Sequence, residues 1–371
     1  MIFLDYASNY PVKKEVLDSF VKAESTYFGN ANSLHPLGKE SFEHLSYLYQ
    51  EIKKILSIDE SHEIEITSSA TESNNMVIKG LYESHSGYSD YFLSSEFEHS
   101  SVNSCLAYLK DKGARVEMVK TGPTGKMDAD DLKLKCNGKP LLTCLTMVES
   151  EVGTIQDYPE VADIVHQNED SYLLLDATQA VGKMKVDFNK ADFTSFAPHK
   201  FGGIIGTGVL VRKKGIALTP LIHGGKSFSV YRSSTPSIGL AESVYVALKI
   251  AYENMEENHR IVNERMNLLV SLLKENKHIQ INSFLENPYI VNISYKDEKA
   301  MDVVNFLSSR GVCVSQKSAC SIVNTPSKVI NAIYHDKKRA MSSFRISLSE
   351  SAGEEEIRRF IEILGEYQHA R

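Results

Sequence analysis

Asp176 and Lys200 are the residues of this chain whose types and settings most directly suggest chemistry. They stand 24 residues apart, and each lies where a strand-like apolar run gives way to a loop: LLLDATQAVG for the acid, ADFTSFAPHKFGG for the lysine. Either alone is ordinary, an aspartate capping a turn or a surface lysine after a strand. Together, with these flanks, they suit a cofactor held at both ends. A lysine amine makes a Schiff base, and a carboxylate keeps a pyridine nitrogen protonated so that the ring draws electrons. Pyridoxal phosphate (PLP) needs both groups. Its phosphate needs donors at a helix start, and SSATESNN at 68–75 supplies them. A strand ends there, small residues turn the chain, and the helix that follows leaves backbone N–H groups free in a favourable dipole. The same serines and threonine are also ordinary N-caps.

Cys320 is the residue that bears on reaction type. Cys105 and Cys144 sit in apolar surroundings and read as packing. Around Cys320 the sequence QKSACSIVNTPS is polar and loop-like, which suits an exposed thiol, and Lys317 nearby would help hold it as thiolate. The five cysteines, with Cys136 and Cys313, are odd in number and form no CxxC pair. Neither a disulfide framework nor a metal site is expected, and a reducing cytoplasm is the expected compartment.

The elements that must position these groups follow from periodicity. From about 60 to 215, short apolar runs alternate with helical stretches: strands at IEITSS, DYFLSS, RVEMVK, LLTCLT, YLLLDA, DFTSFA and GTGVLVR, helices near 71–84, 99–113 and 158–169. Such alternation means βαβ units, an α/β fold with a large, mostly parallel sheet covered on both faces. A helical segment from about 237 to 277 exceeds the usual globular length, so it bends or bridges two domains. PYIVNISY, VCVS and SSFRISLS alternate with helices near 298–310, 326–334 and 353–367 and form a smaller α+β domain. The expected division is 15–255 for the large domain, and 1–14 with 256–371 for the small one.

Composition narrows the class further. The chain has 371 residues, 42% hydrophobic and 24% charged, with a net charge of −7. That is enough for two domains and a large core. The negative balance, with only a short basic run near 336–340, argues against a nucleic-acid surface. No apolar run approaches the roughly 18–20 residues of a membrane span, and MIFLDYASNYPV has no signal-peptide pattern.

Beyond these readings the chain resembles the cysteine desulfurases of the class V aminotransferase group, fold type I of the PLP enzymes. The likeness rests on LDYAS at 4–8, FGNANSLH at 28–35, SSATESNN, EHSSV at 98–102, EVGTIQD at 151–157, LDATQAVGK at 175–183, SFAPHK at 195–200, IHGG at 222–225, YRSSTP at 231–236, SACS at 318–321 and SSFRISLS at 342–349. It runs nearly end to end, in the family's order. It implies that Lys200 is the Schiff-base lysine, Asp176 the partner of the pyridine nitrogen, and Gln179 the partner of the phenolic oxygen. His99 then stacks on the ring and moves protons, and Ala70, Thr71 and His199 hold the phosphate. Thr235 reaches the phosphate from the second subunit of a homodimer. Arg345 clamps the substrate α-carboxylate, with Asn32 and Ser150 in the same pocket, and Cys320 attacks the sulfur of L-cysteine. The implied activity takes L-cysteine to L-alanine and passes the Cys320 persulfide to an acceptor protein, for iron–sulfur cluster assembly or tRNA thiolation.

The departures from the family pattern are specific. Glu149-Ser150 stands where Asn-Asn is usual, and Ala197 replaces a Ser or Thr that bonds the phosphate, a loss of about 1–2 kcal/mol if nothing compensates. The glycine-rich stretch reads GGKSFS at 224–229, Ser234 replaces a glycine, and the loop after Cys320 is slightly shorter than usual. Two other activities fit the same fold: a PLP-dependent β-lyase or aminotransferase, which has no need of Cys320, and a catalytically idle partner of a sulfur-transfer protein.

Overall fold

The computed structural model describes residues 1–225, 227–317 and 325–367. Each of the seven apolar runs between about 60 and 215 is a strand of one sheet. Across it the order is His62–Thr67, Gly208–Lys213, Phe193–Phe196, Tyr172–Asp176, Leu142–Thr146, Tyr91–Ser94 and Arg115–Met118. Gly208–Lys213 runs antiparallel to both of its neighbours, and every other pairing is parallel. The central strands are buried at nearly every position, which is why they read as unbroken apolar runs. Successive side chains alternate between two cores. Phe92, Cys144, Leu174 and Phe193 pack under helices Ala70–Ser84 and Ser100–Asp111. Leu93, Leu145, Leu175 and Phe196 pack under Tyr158–Val165 and Ile238–Glu253.

The long helical segment divides at Asn254 into Ile238–Glu253 and Met255–Glu275. The first half adds Val244 and Leu248 to the main core; the second adds Val262 and Leu269 to a separate one. That second core lies on a three-stranded antiparallel sheet, Ser343–Ser347, Ile290–Tyr295 and Ile279–Ile281, with helices Ala300–Ser309 and Glu354–Glu366. The N-terminus enters it too. Ile2–Phe3 pairs in parallel with Val312–Cys313, and Leu4, Tyr6 and Tyr10 are buried there. Helices Lys14–Thr26 and Pro36–Ile55, which the sequence reading left unassigned, precede the first strand of the main sheet. No helix among the described residues is long and apolar enough to cross a membrane.

Candidate active site

The carboxyl ends of the parallel strands share one edge, where an open α/β sheet binds its ligands. His62–Thr67 runs into the turn before helix Ala70–Ser84, and Tyr91–Ser94 leads to helix Ser100–Asp111. Tyr172–Asp176 ends on the acid, and Phe193–Phe196 leads into the single turn Pro198–Lys200. At the first helix start Ser69 accepts the Glu72 N–H, while the Ala70 and Thr71 N–H groups have no acceptor among the described residues. A Cβ on Gly208 would lie 2.2 Å from the Ser69 carbonyl carbon, so glycine is required where that strand passes the turn.

Asp176 is buried and held from two sides. Its Oδ1 accepts the Thr178 N–H at 3.0 Å and its Oδ2 accepts from Asn74 Nδ2 at 3.0 Å. The same Asn74 nitrogen donates to Ser101 Oγ at 2.9 Å, and Asn74 Oδ1 accepts from Ser195 Oγ at 2.6 Å. Ser101 Oγ lies 2.8 Å from His99 Nδ1, which also accepts the Ser101 N–H. Nδ1 is therefore the acceptor, and the ring proton sits on Nε2. Burial, aided by Lys200 and opposed by Asp176, holds the imidazole below its usual pKa. His99 is a neutral ring with a donor at Nε2.

Lys200 Nζ donates to Ala7 O at 3.0 Å and to Ser8 O at 2.6 Å. Ala7 O also accepts from Gln179 Nε2 at 2.8 Å. Arg345, on strand Ser343–Ser347, is only 1% exposed. Its Nη1 donates to Ser150 O at 2.8 Å, and its Nη2 donates to Asp5 Oδ1 at 2.9 Å and Ser8 Oγ at 2.7 Å. Ser8 thus holds the lysine by its carbonyl and the arginine by its hydroxyl. His199, beside Lys200, is brought down to about 4 by burial and by the charges of Lys200 and Lys183, so it is a neutral ring.

A cleft of about 810 Å³ opens beside His99, lined by Glu98, Glu149, Ser150, Lys317 and Ser327 among others. Burial pushes the Glu98 carboxyl up to about 8, against the hydroxyls of Thr146 and Ser95 that donate to it. Glu149, standing where the family has asparagine, turns inward. Its Oε2 accepts the N–H groups of Glu151 and Val152 at 2.8 and 2.6 Å, while burial and the nearby Glu151 carboxylate push it upward. Ser150 meets Arg345 through its backbone, so the change of side chain leaves that bond intact.

The structure gathers Lys200, Asp176, His99, Gln179, His199, Ala70, Thr71, Ser150 and Arg345 at this edge. Asn32 and Thr235 instead gather around a second cavity that reaches Ser68, the first residue of the 68–75 stretch. Asn32 is exposed and donates to Ser227 Oγ at 3.2 Å, and Thr235 lines this cavity, of about 270 Å³, with Glu65, Ser68 and Arg232. Cys320 lies outside the described residues; Lys317 and Thr325, on either side of that segment, bond to each other at 2.6 Å. Sequence reasoning passed over Asn74, Asp5, Lys183 and Glu98. The one signal was in the motifs themselves, which contain Asn74, Asp5, Lys183 and Glu98 without saying what each touches.

The donor set fits PLP. A buried carboxylate suited to a pyridine nitrogen, a lysine amine, a neutral imidazole and open amides at a helix start stand together, and the Thr178 hydroxyl beside Asp176 is buried with no partner among the described residues. The chain matches the Aminotransferase class-V family over residues 2–360. It belongs to the class-V aminotransferases. Among them, the cysteine desulfurase IscS of Buchnera aphidicola subsp. Acyrthosiphon pisum (strain 5A) is 30% identical over 382 residues, covering 99% of this chain and 93% of that protein. A solved NifS-like protein superposes with a TM-score of 0.92 at 28% identity, covering all of both chains. The structure of SspA in complex with cysteine superposes with a TM-score of 0.81 at 27% identity, covering 94% of this chain and 99% of that one. Class-V aminotransferases are PLP enzymes, and in this one Lys200, Asp176, Gln179 and His99 are the residues that would hold the ring.

Proposed function

We propose that this chain takes L-cysteine to L-alanine and holds the released sulfur as a persulfide on Cys320 before an acceptor protein receives it. One observation supports the substrate class above the others: Lys200 Nζ and Arg345 Nη2 both bond to Ser8. An α-amino acid carries its amine and carboxylate on one carbon, and here the groups that meet them flank one residue. A forked guanidinium suits the carboxylate and fixes the orientation of the Cα bonds.

When bound, PLP supplies an electron sink for charge developing at the substrate Cα. Lys200, at the end of its short turn, moves the proton at that carbon. Asp176 is held in place by Asn74 and Thr178, so its carboxylate keeps one orientation toward the ring nitrogen. His99, neutral and protonated on Nε2, is a proton donor on the cleft side. The Cys320 thiolate bonds to the substrate sulfur, the Cβ–S bond breaks, and protons delivered to carbon leave alanine.

Several further assignments belong to this reading. The working unit is a homodimer in which Thr235 serves the neighbour's phosphate, and Asn32 lines the substrate pocket with Arg345; exposed Phe28, Leu34, Ile205 and Val230 support a covered face. The domains are 15–255 and 1–14 with 256–371, in line with the two separate cores. The compartment is the cytoplasm, where free thiols such as Cys105 and Cys313 persist. The reading is tested by product analysis: with L-cysteine, purified protein yields alanine matched by sulfur, whereas pyruvate and free sulfide would mark a β-lyase.

A further inference from the structure

Lys183 is a buried cation that the chemistry above leaves without a role. It is 7% exposed, its Nζ lies 2.9 Å from Gln179 Oε1, and among the described residues no carboxylate pairs with it. Glu350, the acid of the same small space, is taken by Lys13 at 3.2 Å and by the Tyr10 hydroxyl at 2.5 Å. Gly182 turns the chain at φ 76° to bring Lys183 inward, and a Cβ there would stand 2.8 Å from the Phe201 ring. An unpaired buried ammonium is costly. Burial first, then repulsion from Lys200 and Arg345, brings Lys183 down to about 7, with Glu350 opposing. The neutral His199 imidazole and the Tyr289 ring, the latter 5.7 Å away, complete its surroundings.

In its charged form, which holds below about 7, Lys183 has three donors and no acceptor. Facing it, Gln179 can present only its carbonyl oxygen, so its NH2 must point the other way. One of those N–H bonds goes to Ala7 O, the carbonyl that also accepts from Lys200. A flipped amide would set oxygen against the Ala7 carbonyl and nitrogen against the ammonium, two repulsive contacts. The second N–H remains for a ligand beside Lys200.

We propose that Lys183 is a positioning residue for the cofactor: it locks the Gln179 amide so that an N–H faces the phenolic oxygen of PLP. This rests on the PLP reading of the site. A donor at that oxygen favours its ionised form, so the lysine-bound cofactor gives up its proton at lower pH than it otherwise would.

The test is a pH titration of the visible absorption of PLP-loaded protein, for wild type, K183M, K183R, Q179L and the K183M/Q179L double variant. K183M and Q179L each raise the midpoint by about one pH unit. The double variant rises no further than the larger single, because both remove one contact. K183R keeps a charged donor on Oε1 and stays near wild type. A K183M midpoint equal to wild type, or shifts of K183M and Q179L that add, would overturn the proposal, as would a lower melting temperature with an unmoved midpoint. If K183M does not fold, K183Q replaces it: its amide can offer either atom to Gln179, so the midpoint again rises, and an unmoved one is contradictory. A wild-type protein that takes up no PLP defeats the reading of the site as well, and is told apart by its lack of colour.

Discussion

Asn74 and Asp176 are joined by a hydrogen bond of 3.0 Å, and the same amide of Asn74 reaches Ser101, which holds His99. Asp176 and His99, to which the proposed function gives the ring nitrogen and proton handling, are therefore oriented by one asparagine on helix Ala70–Ser84. That helix also carries the open Ala70 and Thr71 amides at its start, so all three features are fixed to one rigid element.

Asn74→Ala removes this link while leaving Lys200 and the phosphate amides in place. Asp176 Oδ2 and the Ser195 hydroxyl lose a buried partner, worth about 2 kcal/mol, or roughly thirtyfold in PLP affinity. Titrating apo-protein with PLP and following absorption measures it; an unchanged Kd would show that Asp176 does not depend on Asn74.

Arg345 and Asp5 form a buried pair at 2.9 Å. Asp5→Ala leaves the guanidinium short of a counter-charge and is expected to cost about 3 kcal/mol of stability in denaturant unfolding. Arg345→Lys loses the fork, and the KM for L-cysteine should rise at least about tenfold, with a smaller change in kcat. Steady-state kinetics decide it: a wild-type KM in Arg345→Lys would remove Arg345 from carboxylate binding.

Glu98 gives a pH signature. Its folded-state carboxyl is pushed up to about 8, mainly by burial, from a usual 4.5. Between those values the folded protein keeps a proton that the unfolded chain has released, so this group makes stability fall as pH rises through that window. Glu98→Gln keeps the shape and removes the titration. Its melting temperature should depend less on pH between about 5 and 8 than that of wild type; an equal slope would mean that Glu98 ionises normally.

Much of the fold was legible because buried parallel strands advertise themselves. LLTCLT and YLLLDA are apolar on both faces, and their length and flanks mark them as strands. The direction of GTGVLVR was not legible, since alternation carries no polarity. Helices Lys14–Thr26 and Pro36–Ile55 went unassigned because their apolar residues are interrupted by many charges. Of the site, Lys200 and Asp176 stood out by type and setting, and His99 only through the family resemblance. The roles of Ala7 and Ser8 were not, because they act through backbone carbonyls, which every residue has. Lys183 was hidden for a different reason: a lysine after a glycine reads as a solvated turn, and only the packing of Gly182 against Phe201 turns it inward.

The central claim is sulfur transfer to Cys320, and Cys320→Ala tests it most directly. The variant should bind PLP and L-cysteine as wild type does, because neither Asp176, Lys200 nor Arg345 is touched. It should make almost no alanine and carry no persulfide, because the sulfur has no nucleophile to receive it. In wild type, mass spectrometry after L-cysteine treatment should place the added sulfur on the peptide containing Cys320, with Cys105, Cys136, Cys144 and Cys313 unmodified. Alanine production by Cys320→Ala at the wild-type rate would contradict the account.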